Sequence, residues 1–316
     1  MKFCCLVERY IDYRRSLGER CETNAIILRA FCHTLHRGIA IKDVRVRQTT
    51  RFLYGNRPVT SAWHIRYNAL KGFFRYALSR DYTTNIPLPD IVPQRPPPFI
   101  PFIYTRKEVR DLLNATETYQ RNRSCMEPRT VRVIILLLYA TGLRASEALR
   151  LNRADVDLNR LVLTVRESKF FKSRFVPFSV SLRQVLQDYL KRSPALHLLD
   201  TPNTPFFTTR RGDRVNRDTL ESTFRRVCRR AGIRREQEAR YQPRLHDLRH
   251  TFAVHRLTSW YRQGRDVQLL LPQLSVYLGH VHLAATQTYL TMTPEVLNEA
   301  NQRFEKYVEQ KLSPAQ

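Results

Sequence analysis

The chain has 316 residues, of which 42% are hydrophobic, and its 54 Lys and Arg outnumber its 28 Asp and Glu to give a net charge of +26. This length suits two domains rather than one. Since the sequence has neither a run of eighteen apolar residues nor a signal-peptide segment at its N-terminus, we expect no transmembrane helix and an intracellular, cytoplasmic protein.

The positive charge is spread over both halves of the chain. The first 84 residues carry a net charge of +10 and the remainder carry +16. This distribution favours a polyanion that both halves contact. Charge alone leaves a membrane surface as an alternative, although no amphipathic lipid-facing segment supports it. The six cysteines include no C-x-x-C pair and no cluster with zinc-ligand spacing, so we expect reduced structural thiols and no metal site.

Helices are predicted throughout residues 1–84. Apolar side chains recur at helical spacing around Val7 and Ile11, again after Thr23, and from Ser61 to Leu78. We expect most of these side chains to form a core, which makes this stretch a helical domain.

A proline-rich segment follows. Seven of the seventeen prolines lie between Pro87 and Pro101, and neither a helix nor a central strand tolerates that density. Residues 85–103 are therefore predicted to be an extended linker between two domains. An ordered loop within a single domain is the alternative.

Residues 104–316 form the second predicted domain, which opens with a capping box. In this box Thr105 caps a helix and Glu108 reaches back to it. An apolar helix from Val131 to Tyr139 is expected to end near Gly142, and another helix begins a few residues later.

The apolar pattern then changes from helical to alternating. Residues 161–165 and 174–178 predict the two strands of a hairpin, with 167–173 as the turn, and residues 205–208 predict a further short strand. Helical patterns resume after Ser179. The expected fold class is mainly α with a small antiparallel β-sheet.

Three short segments carry residues that are candidates for catalysis or ligand binding. The first is A-T-G-L-R-A-S-E, in which Gly142 ends one helix and Arg144 lies in the connection to the next. An arginine beside a helix N-terminus forms a phosphate site. The alternative is that Arg144 only pairs with Glu147 on the surface.

The second and third segments lie far downstream. In H-D-L-R-H, His246 and Arg249 are expected to share one face of a helix. In Y-L-G-H, Gly279 permits a helix end just before His280, and Tyr289 follows nine residues later. Taken singly, each has a structural alternative, since His and Arg often share a face by chance and the chain has fifteen tyrosines.

Together and in this order, the three segments resemble the tyrosine recombinases of the phage integrase family. The family pattern is A-T-G-L-R-x-S-E, then H-x-L-R, then L-G-H and a tyrosine nine residues on, and residues 105–289 match every part. The resemblance implies a two-domain integrase-type fold. Residues 1–84 would be a helical, SAM-like core-binding domain that binds DNA, and residues 104–316 a mixed α/β catalytic domain.

The family also uses a lysine in the hairpin after its first arginine. Residues 169–177 resemble its K-x-x-K-x-R-x-V-P hairpin, which assigns the catalytic lysine, the acid for the leaving 5′ oxygen, to Lys169. Lys172 is then a structural or phosphate-contacting neighbour, and Glu147, at the family's acidic position, orients its neighbours. By resemblance the catalytic set is Arg144, Lys169, His246, Arg249, His280 and Tyr289, with Glu147 in support.

These residue types are consistent with phosphoryl transfer without a metal or cofactor. Arg144 and Arg249 would neutralise the phosphate, and His246 would assist Tyr289 as base or hydrogen-bond donor. The phenol would attack phosphorus to give a 3′-phosphotyrosine ester. His280 would donate a hydrogen bond to a nonbridging oxygen.

The resemblance also implies partners and a biological setting. We expect the protein to bind double-stranded DNA at a specific recombination site and to form a homo-tetramer on that DNA. Accessory recombinase subunits are compatible with this assembly. A mobile-element enzyme of bacterial cytoplasm, acting in integration, excision or transposition, is favoured by the highly basic N-terminal domain. The alternatives are a type IB topoisomerase, which shares the catalytic residue types, and a catalytically inactive DNA-binding architectural factor.

Two further features stand out near the C-terminus. The stretch from Pro294 is predicted to be an amphipathic helix that packs on its own chain or docks on a neighbouring protomer. The segment between His246 and His280 is longer than in compact family members. Its extra residues, which include Tyr261 through Leu271 and adjoin Pro272, are expected to enlarge a loop near the site.

Overall fold

The structure is a computed structural model that describes residues 1–55, 59–97, 99–119, 124–166, 173–192, 201–235, 241–280, 282–291 and 294–312. Across these residues the chain is mainly helical with a small antiparallel sheet, as predicted. It divides into two compact units, Met1–Phe99 and Ile100–Gln316, and the division falls inside the predicted linker. No helix in this described part has the length and apolar character needed to cross a membrane.

The first unit is built from helices around an aromatic core. Its helices are α1 (Phe3–Ser16), α2 (Glu22–Thr34), α3 (Val46–Tyr54) and α4 (Ser61–Leu78). The ring of Phe3 meets those of Phe31 and Phe73 edge to face, at centroid distances of 5.4 and 5.1 Å, a favourable aromatic geometry. All three side chains are fully buried, so this cluster joins the first, second and fourth helices.

The packed part of this unit extends past residue 84. Leu88 is buried in the same core, and the hydroxyl of Thr49 donates to the carbonyl of Pro87 at 2.6 Å. The first residues of the proline-rich segment are therefore fixed to the helical unit.

The second unit contains the remaining helices and the sheet. Its elements are α5 (Arg106–Ala115), α6 (Pro128–Thr141), α7 (Ala145–Arg150), β1 (Val156–Asp157), β2 (Val162–Val165), β3 (Arg174–Pro177), α8 (Val180–Arg192), α9 (Arg217–Arg230), α10 (Asp247–Arg262), α11 (Val267–Leu278), α12 (Ala284–Gln287) and α13 (Pro294–Leu312). The predicted capping box at the start of α5 is confirmed. Thr105 Oγ1 accepts from the Glu108 backbone at 3.1 Å while the Glu108 carboxylate accepts from the Thr105 backbone at 2.7 Å.

The sheet has the order β1-β2-β3 and is antiparallel throughout. Val162 pairs with Pro177 and Val165 pairs with Arg174, so the predicted hairpin is confirmed. Most of its predicted turn, residues 167–172, lies outside the described residues. The predicted strand at residues 205–208 is wrong, because only isolated bridges form at its two ends.

Gly142 ends α6 where the core is most crowded. Its φ of +63° lies in the left-handed region, which costs residues with a Cβ about 1–2 kcal/mol. A Cβ at this position would also lie 2.5 Å from Phe252 Cδ1 and 2.9 Å from Leu278 Cδ2. The close approach of α6, α10 and α11 therefore requires glycine here.

The extra residues before His280 lie mostly in helices rather than in an enlarged loop, which corrects the expectation from the sequence. The α10 helix runs on to Arg262 and α11 starts at Val267, which leaves a short connection. Pro272 lies inside α11, where its missing N–H removes one bond of the helix ladder. Its side chain is exposed, and the helix continues to Leu278.

We expect Gly142→Ala to lower the free energy of unfolding by about 2–5 kcal/mol, because backbone strain adds to overpacking. The matched control is Gly212→Ala, at φ +90° with nothing within 4 Å of its Cβ, which should cost only the strain of about 1–2 kcal/mol. Urea denaturation of both variants measures the difference. Equal losses would contradict the packing argument.

Candidate active site

The three motif segments meet at the C-terminus of α11. The last carbonyl groups of a helix lack partners within the helix and form the negative end of its dipole. Here three arginines donate to three successive carbonyls: Arg174 Nε to Tyr277 O at 2.9 Å, Arg249 Nη2 to Leu278 O at 2.7 Å, and Arg144 Nη2 to Gly279 O at 3.1 Å. One helix end thus assembles cations from three separate parts of the chain.

Gly279 makes this convergence sterically feasible. It ends α11 at φ +69°, and a Cβ on it would lie 2.9 Å from Arg174 Nη1. The backbone N–H of His280 then donates to Ser275 O at 2.9 Å. The L-G-H motif therefore closes the helix, admits the arginine and places the histidine directly after the turn.

Arg249 is deeply buried, with 2% of its surface exposed. Its second terminal nitrogen, Nη1, donates to Gly142 O at 2.8 Å, so the guanidinium joins the ends of α6 and α11. Burial, followed by the charge of Arg144, lowers the pKa of Arg249 to about 10. The group stays positive at neutral pH.

The negative charge of Glu147 offsets the positive charge of the other two arginines, Arg144 and Arg174. Its carboxylate is 3% exposed, accepts from Arg144 Nη1 at 2.7 Å and accepts from Arg174 at 3.0 and 2.8 Å. Burial by itself would raise the pKa of Glu147, but the hydrogen bonds and charge of Arg174, with those of Arg144, lower it to about 2. Arg144 does pair with Glu147, as the structural alternative held, but in a buried network rather than on the surface.

Arg174 was given no role from the sequence. The signal was present, because this arginine occupies a fixed place in the K-x-x-K-x-R-x-V-P hairpin. Its partners, however, lie 27 and 103 residues away in the chain. Such contacts are set by tertiary packing, so only the structure shows that Arg174 belongs to the site.

Tyr289 lies against the same cluster and is 2% exposed. It belongs to a short 3₁₀ turn, Thr288–Thr291, and its ring is 6.1 Å from that of His280, nearly parallel to it. Burial raises the pKa of the Tyr289 phenol, while the charge of Arg249, a hydrogen bond from it and the charge of Arg144 act in the opposite direction. The phenol is therefore protonated in the protein alone.

His280 is held by a hydroxyl on the next short helix. Its Nδ1 lies 2.7 Å from the Oγ1 of Thr286. Burial and the nearby charges of Arg249 and Arg144 lower the pKa of His280 to about 4, so its imidazole is neutral at pH 7.

His246 lies at the edge of the cluster and in the N-cap position of α10 rather than within the helix. Its side chain is exposed on one side, yet the protein around it displaces water. This desolvation, with the charges of His250 and Arg249, lowers the pKa of His246 to about 4. Its ring is perpendicular to that of His250, at 4.9 Å, and His250 in turn lies 5.6 Å from the ring of Tyr289.

His250 is a second residue of the site that sequence reasoning missed, although it ends the H-D-L-R-H motif. Its Nδ1 is buried and has no hydrogen-bond partner in the described part of the chain. Burial, with the charges of Arg244 and Arg249, lowers its pKa to about 4. His250 thus fills the space between His246 and Tyr289 as a neutral ring.

The structure therefore brings six of the predicted residues into one region, while Lys169 and its neighbour Lys172 lie outside the described residues. The six are Arg144, Glu147, His246, Arg249, His280 and Tyr289. Clustered guanidinium groups beside neutral imidazoles and a phenol suit an anionic, tetrahedral group such as a phosphate. Within the described ranges, no group of three or more His, Cys, Asp or Glu is placed to hold a metal ion.

Comparison with known proteins identifies the family of this site. The sequence profile of the phage integrase family matches residues 103–295. The integrase/recombinase y4rB of Sinorhizobium fredii is 37% identical over 305 residues, which cover 95% of this chain and 96% of that protein. The chain belongs to the phage integrase family. It is a tyrosine recombinase, an enzyme of site-specific recombination, and the resemblance seen in its motifs is confirmed.

Other relatives extend the likeness of this recombinase. Tyrosine recombinase XerA of Thermococcus kodakarensis is 29% identical over 269 residues, covering 83% of this chain and 82% of that protein. Among solved structures, the Tn1549 transposon integrase with a circular intermediate DNA superimposes with a TM-score of 0.70 at 17% identity, covering 97% of this chain and 99% of that one. A lambda integrase tetramer bound to a Holliday junction gives 0.66 at 16% identity, with coverages of 92% and 77%. These two structures show a shared fold.

Glu147→Gln should lower the free energy of unfolding at pH 7 by about 3–5 kcal/mol, because it leaves two arginines without their buried counter-ion. The folded pKa of about 2 lies below the ordinary value of 4.5. The stabilisation by Glu147 is therefore complete above about pH 4.5 and lost as pH falls toward 2. The difference between the urea denaturation curves of the recombinase and the variant should shrink over that window.

The control for this prediction is Glu221→Gln. Glu221 pairs with Arg217 at 2.8 Å on the exposed face of α9, and such surface pairs contribute about 0–1 kcal/mol. If Glu147→Gln cost no more than this control, or if the difference were constant through acid pH, the buried network would not stabilise the fold.

Proposed function

We propose that this recombinase cleaves and rejoins DNA through a covalent 3′-phosphotyrosine bond formed by Tyr289. The observation that carries the proposal is the placement of this phenol. It is buried next to Arg249 and His280, at the helix end where the arginines converge. A phenol in that position is within reach of an anion that the arginines would bind.

Arg144 and Arg249 are proposed to bind the nonbridging oxygens of the scissile phosphate. Their hydrogen bonds to backbone carbonyls and to Glu147 fix both guanidinium groups before any substrate arrives. Preorganised cations stabilise the charge of a five-coordinate transition state without a cost of reorganisation. Glu147 and Arg174 would act by orienting this pair.

Proton transfer is proposed to involve three further residues. His246, neutral and partly open to solvent, would accept the proton of Tyr289 or hydrogen-bond the phenol through a water molecule. The leaving 5′ oxygen needs a proton, and Lys169 is our candidate for this acid. His280 would donate to a nonbridging oxygen.

The phosphotyrosine ester is similar in energy to the DNA phosphodiester that was cleaved. The cleavage step is therefore reversible. A 5′-hydroxyl from another strand attacks phosphorus, the phosphodiester re-forms and the phenol leaves with a proton. Strand exchange then needs no nucleotide cofactor.

The DNA partner and the assembly are also proposals. The net charge of +26 and the basic character of both halves suit a DNA that contacts both units. A homo-tetramer on a specific recombination site is the expected assembly, with accessory recombinases allowed. The solved complexes of the transposon integrase with DNA and of the lambda integrase tetramer with a Holliday junction support this arrangement and a mobile-element setting. We propose that the protein acts in the cytoplasm of a bacterium.

The C-terminal helix offers one contact for such an assembly. Val296 of α13 is buried in the same cluster as Tyr289, so part of the helix packs on its own chain. Leu297 and Phe304 remain 49% and 64% exposed, and their spacing of seven places them on one face. We propose that this face contacts a neighbouring protomer.

The covalent step is tested with Tyr289→Phe. On a nicked suicide duplex carrying the recombination site, sought first in the DNA that flanks the gene, the recombinase should form a protein–DNA adduct that resists denaturing electrophoresis. The Phe variant lacks the nucleophile and should form at least about 10³-fold less adduct. Tyr189→Phe changes another buried tyrosine of the second unit and should leave adduct formation intact.

Two results would contradict this mechanism. An adduct formed by Tyr289→Phe would place the nucleophile elsewhere, and a protein that binds its site without forming any adduct would be an architectural factor. Relaxation of any supercoiled plasmid, in place of exchange between specific sites, would instead indicate the topoisomerase alternative.

The proposed chemistry uses arginines where other phosphoryl transferases use metal ions. We therefore expect adduct formation in the presence of excess EDTA to stay within about twofold of the untreated rate, since no step needs a Lewis acid beyond the guanidinium groups. Rates of single-turnover cleavage with and without chelator measure this. A loss of cleavage that added Mg²⁺ restores would overturn the metal-free part of the proposal.

A further inference from the structure

Thr286 is a fully buried polar residue that the catalytic scheme does not use. It lies in α12, three residues before Tyr289, and its Oγ1 is 2.7 Å from Nδ1 of His280. This distance marks a short, well-formed hydrogen bond. Thr286 therefore connects the segment that bears the nucleophile to the histidine of the L-G-H turn.

The direction of this hydrogen bond follows from burial. A buried hydroxyl that donates no hydrogen bond has lost its bonds to water without replacement, which costs free energy. Within the described residues, His280 Nδ1 is the one partner of the Thr286 hydroxyl. Thr286 must then donate and Nδ1 must accept, which places the proton of a neutral imidazole on Nε2.

The charge state of His280 supports the same assignment. Its pKa of about 4 keeps the ring neutral at pH 7, so the ring has a single N–H. If that proton were on Nδ1, the opposite edge of the ring would present only a lone pair, which repels a phosphate oxygen. With the proton on Nε2, that edge is a donor.

We propose that Thr286 is a positioning residue that fixes His280 as the Nε2–H tautomer, so that an uncharged imidazole can donate to a nonbridging oxygen of the scissile phosphate. This inference rests on the proposed function of the site.

The location of Thr286 adds a second consequence. The α12 helix and the turn that holds Tyr289 are continuous in the chain, so the hydrogen bond also fastens the nucleophile's segment to the end of α11. The contact that sets the His280 tautomer is therefore made by the segment that also carries Tyr289.

The test compares Thr286→Val with Thr286→Ser in single-turnover cleavage of the suicide duplex. Valine keeps the shape and burial of threonine but cannot donate, and it should slow adduct formation about tenfold without weakening DNA binding. Serine keeps the hydroxyl and should restore the rate to within about threefold of the unmodified protein. A Thr286→Val protein that cleaves at the unmodified rate, or a Thr286→Ser protein as slow as Thr286→Val, would show that the hydroxyl does not set the rate and would overturn the inference.

A double-mutant cycle with His280→Ala shows whether Thr286 acts through His280. Once the imidazole is gone, Thr286→Val should slow cleavage by no more than about twofold further, because the two changes remove one shared interaction. A full tenfold loss in the His280→Ala background would make Thr286 a purely structural residue.

A spectroscopic measurement separates this inference from the proposed function, because it needs no DNA. In protein labelled with [¹⁵N]histidine, the signals that disappear in His280→Ala identify the ring. At neutral pH they should show a protonated Nε2 and an unprotonated Nδ1, and Thr286→Val should shift the ring toward a mixture of tautomers. A protein with this spectrum but no covalent adduct would refute the proposed function and retain the tautomer assignment, whereas an active protein with a protonated Nδ1 would refute the inference alone.

Discussion

The architecture of the second unit depends on the C-terminal end of α11. Three successive carbonyls there have no partners inside the helix, and each accepts from an arginine of a different element: Arg174 of β3, Arg249 of α10 and Arg144 of the connection between α6 and α7. The negative end of the helix dipole offsets the repulsion among these cations. Gly279 keeps the site open to them, because a Cβ on it would contact the Arg174 guanidinium at 2.9 Å. The same interaction therefore holds the fold together and concentrates positive charge.

Burial and this concentration of charge together set the protonation states of the nearby histidines and of Tyr289. Among the residues that the structure describes, Glu147 is the one carboxylate that contacts two of the arginines, so positive charge remains in excess in a poorly solvated region. The pKa values of His246, His250 and His280 are lowered to about 4, while the charge of Arg249 opposes the effect of burial on the Tyr289 phenol. An arriving phosphate would supply the missing negative charge. The excess positive charge of the site favours the binding of anionic ligands.

The sequence predicted regular elements well where the apolar pattern was long or the local chemistry was specific. The capping box at Thr105 and the strands at residues 161–165 and 174–178 are examples. Within residues 1–84, which were predicted to be helical, it did not identify α3 as a separate helix. The nine residues of α3 bury only Thr49 and Leu53 and leave Val46 exposed. It wrongly predicted a strand at residues 205–208, where an apolar run forms only bridges because no partner strand lies beside it in the described sheet. Short segments take their structure from their surroundings rather than from their own pattern.

Motif order and spacing were enough to identify the family to which the chain belongs. They were also enough to select Arg144, His246, Arg249, His280 and Tyr289 as candidate site residues, because residue types and the intervals between them are properties of the sequence alone. Which groups these residues contact was decided only by tertiary structure. Arg144 meets Gly279 across 135 residues and Arg249 meets Gly142 across 107, and no local pattern encodes such pairs. The roles of Arg174, His250 and Thr286 became visible for the same reason. Their hydrogen bonds and ring contacts exist only once the helix ends converge, whereas the motif residues can be recognised from the order of residues along the chain.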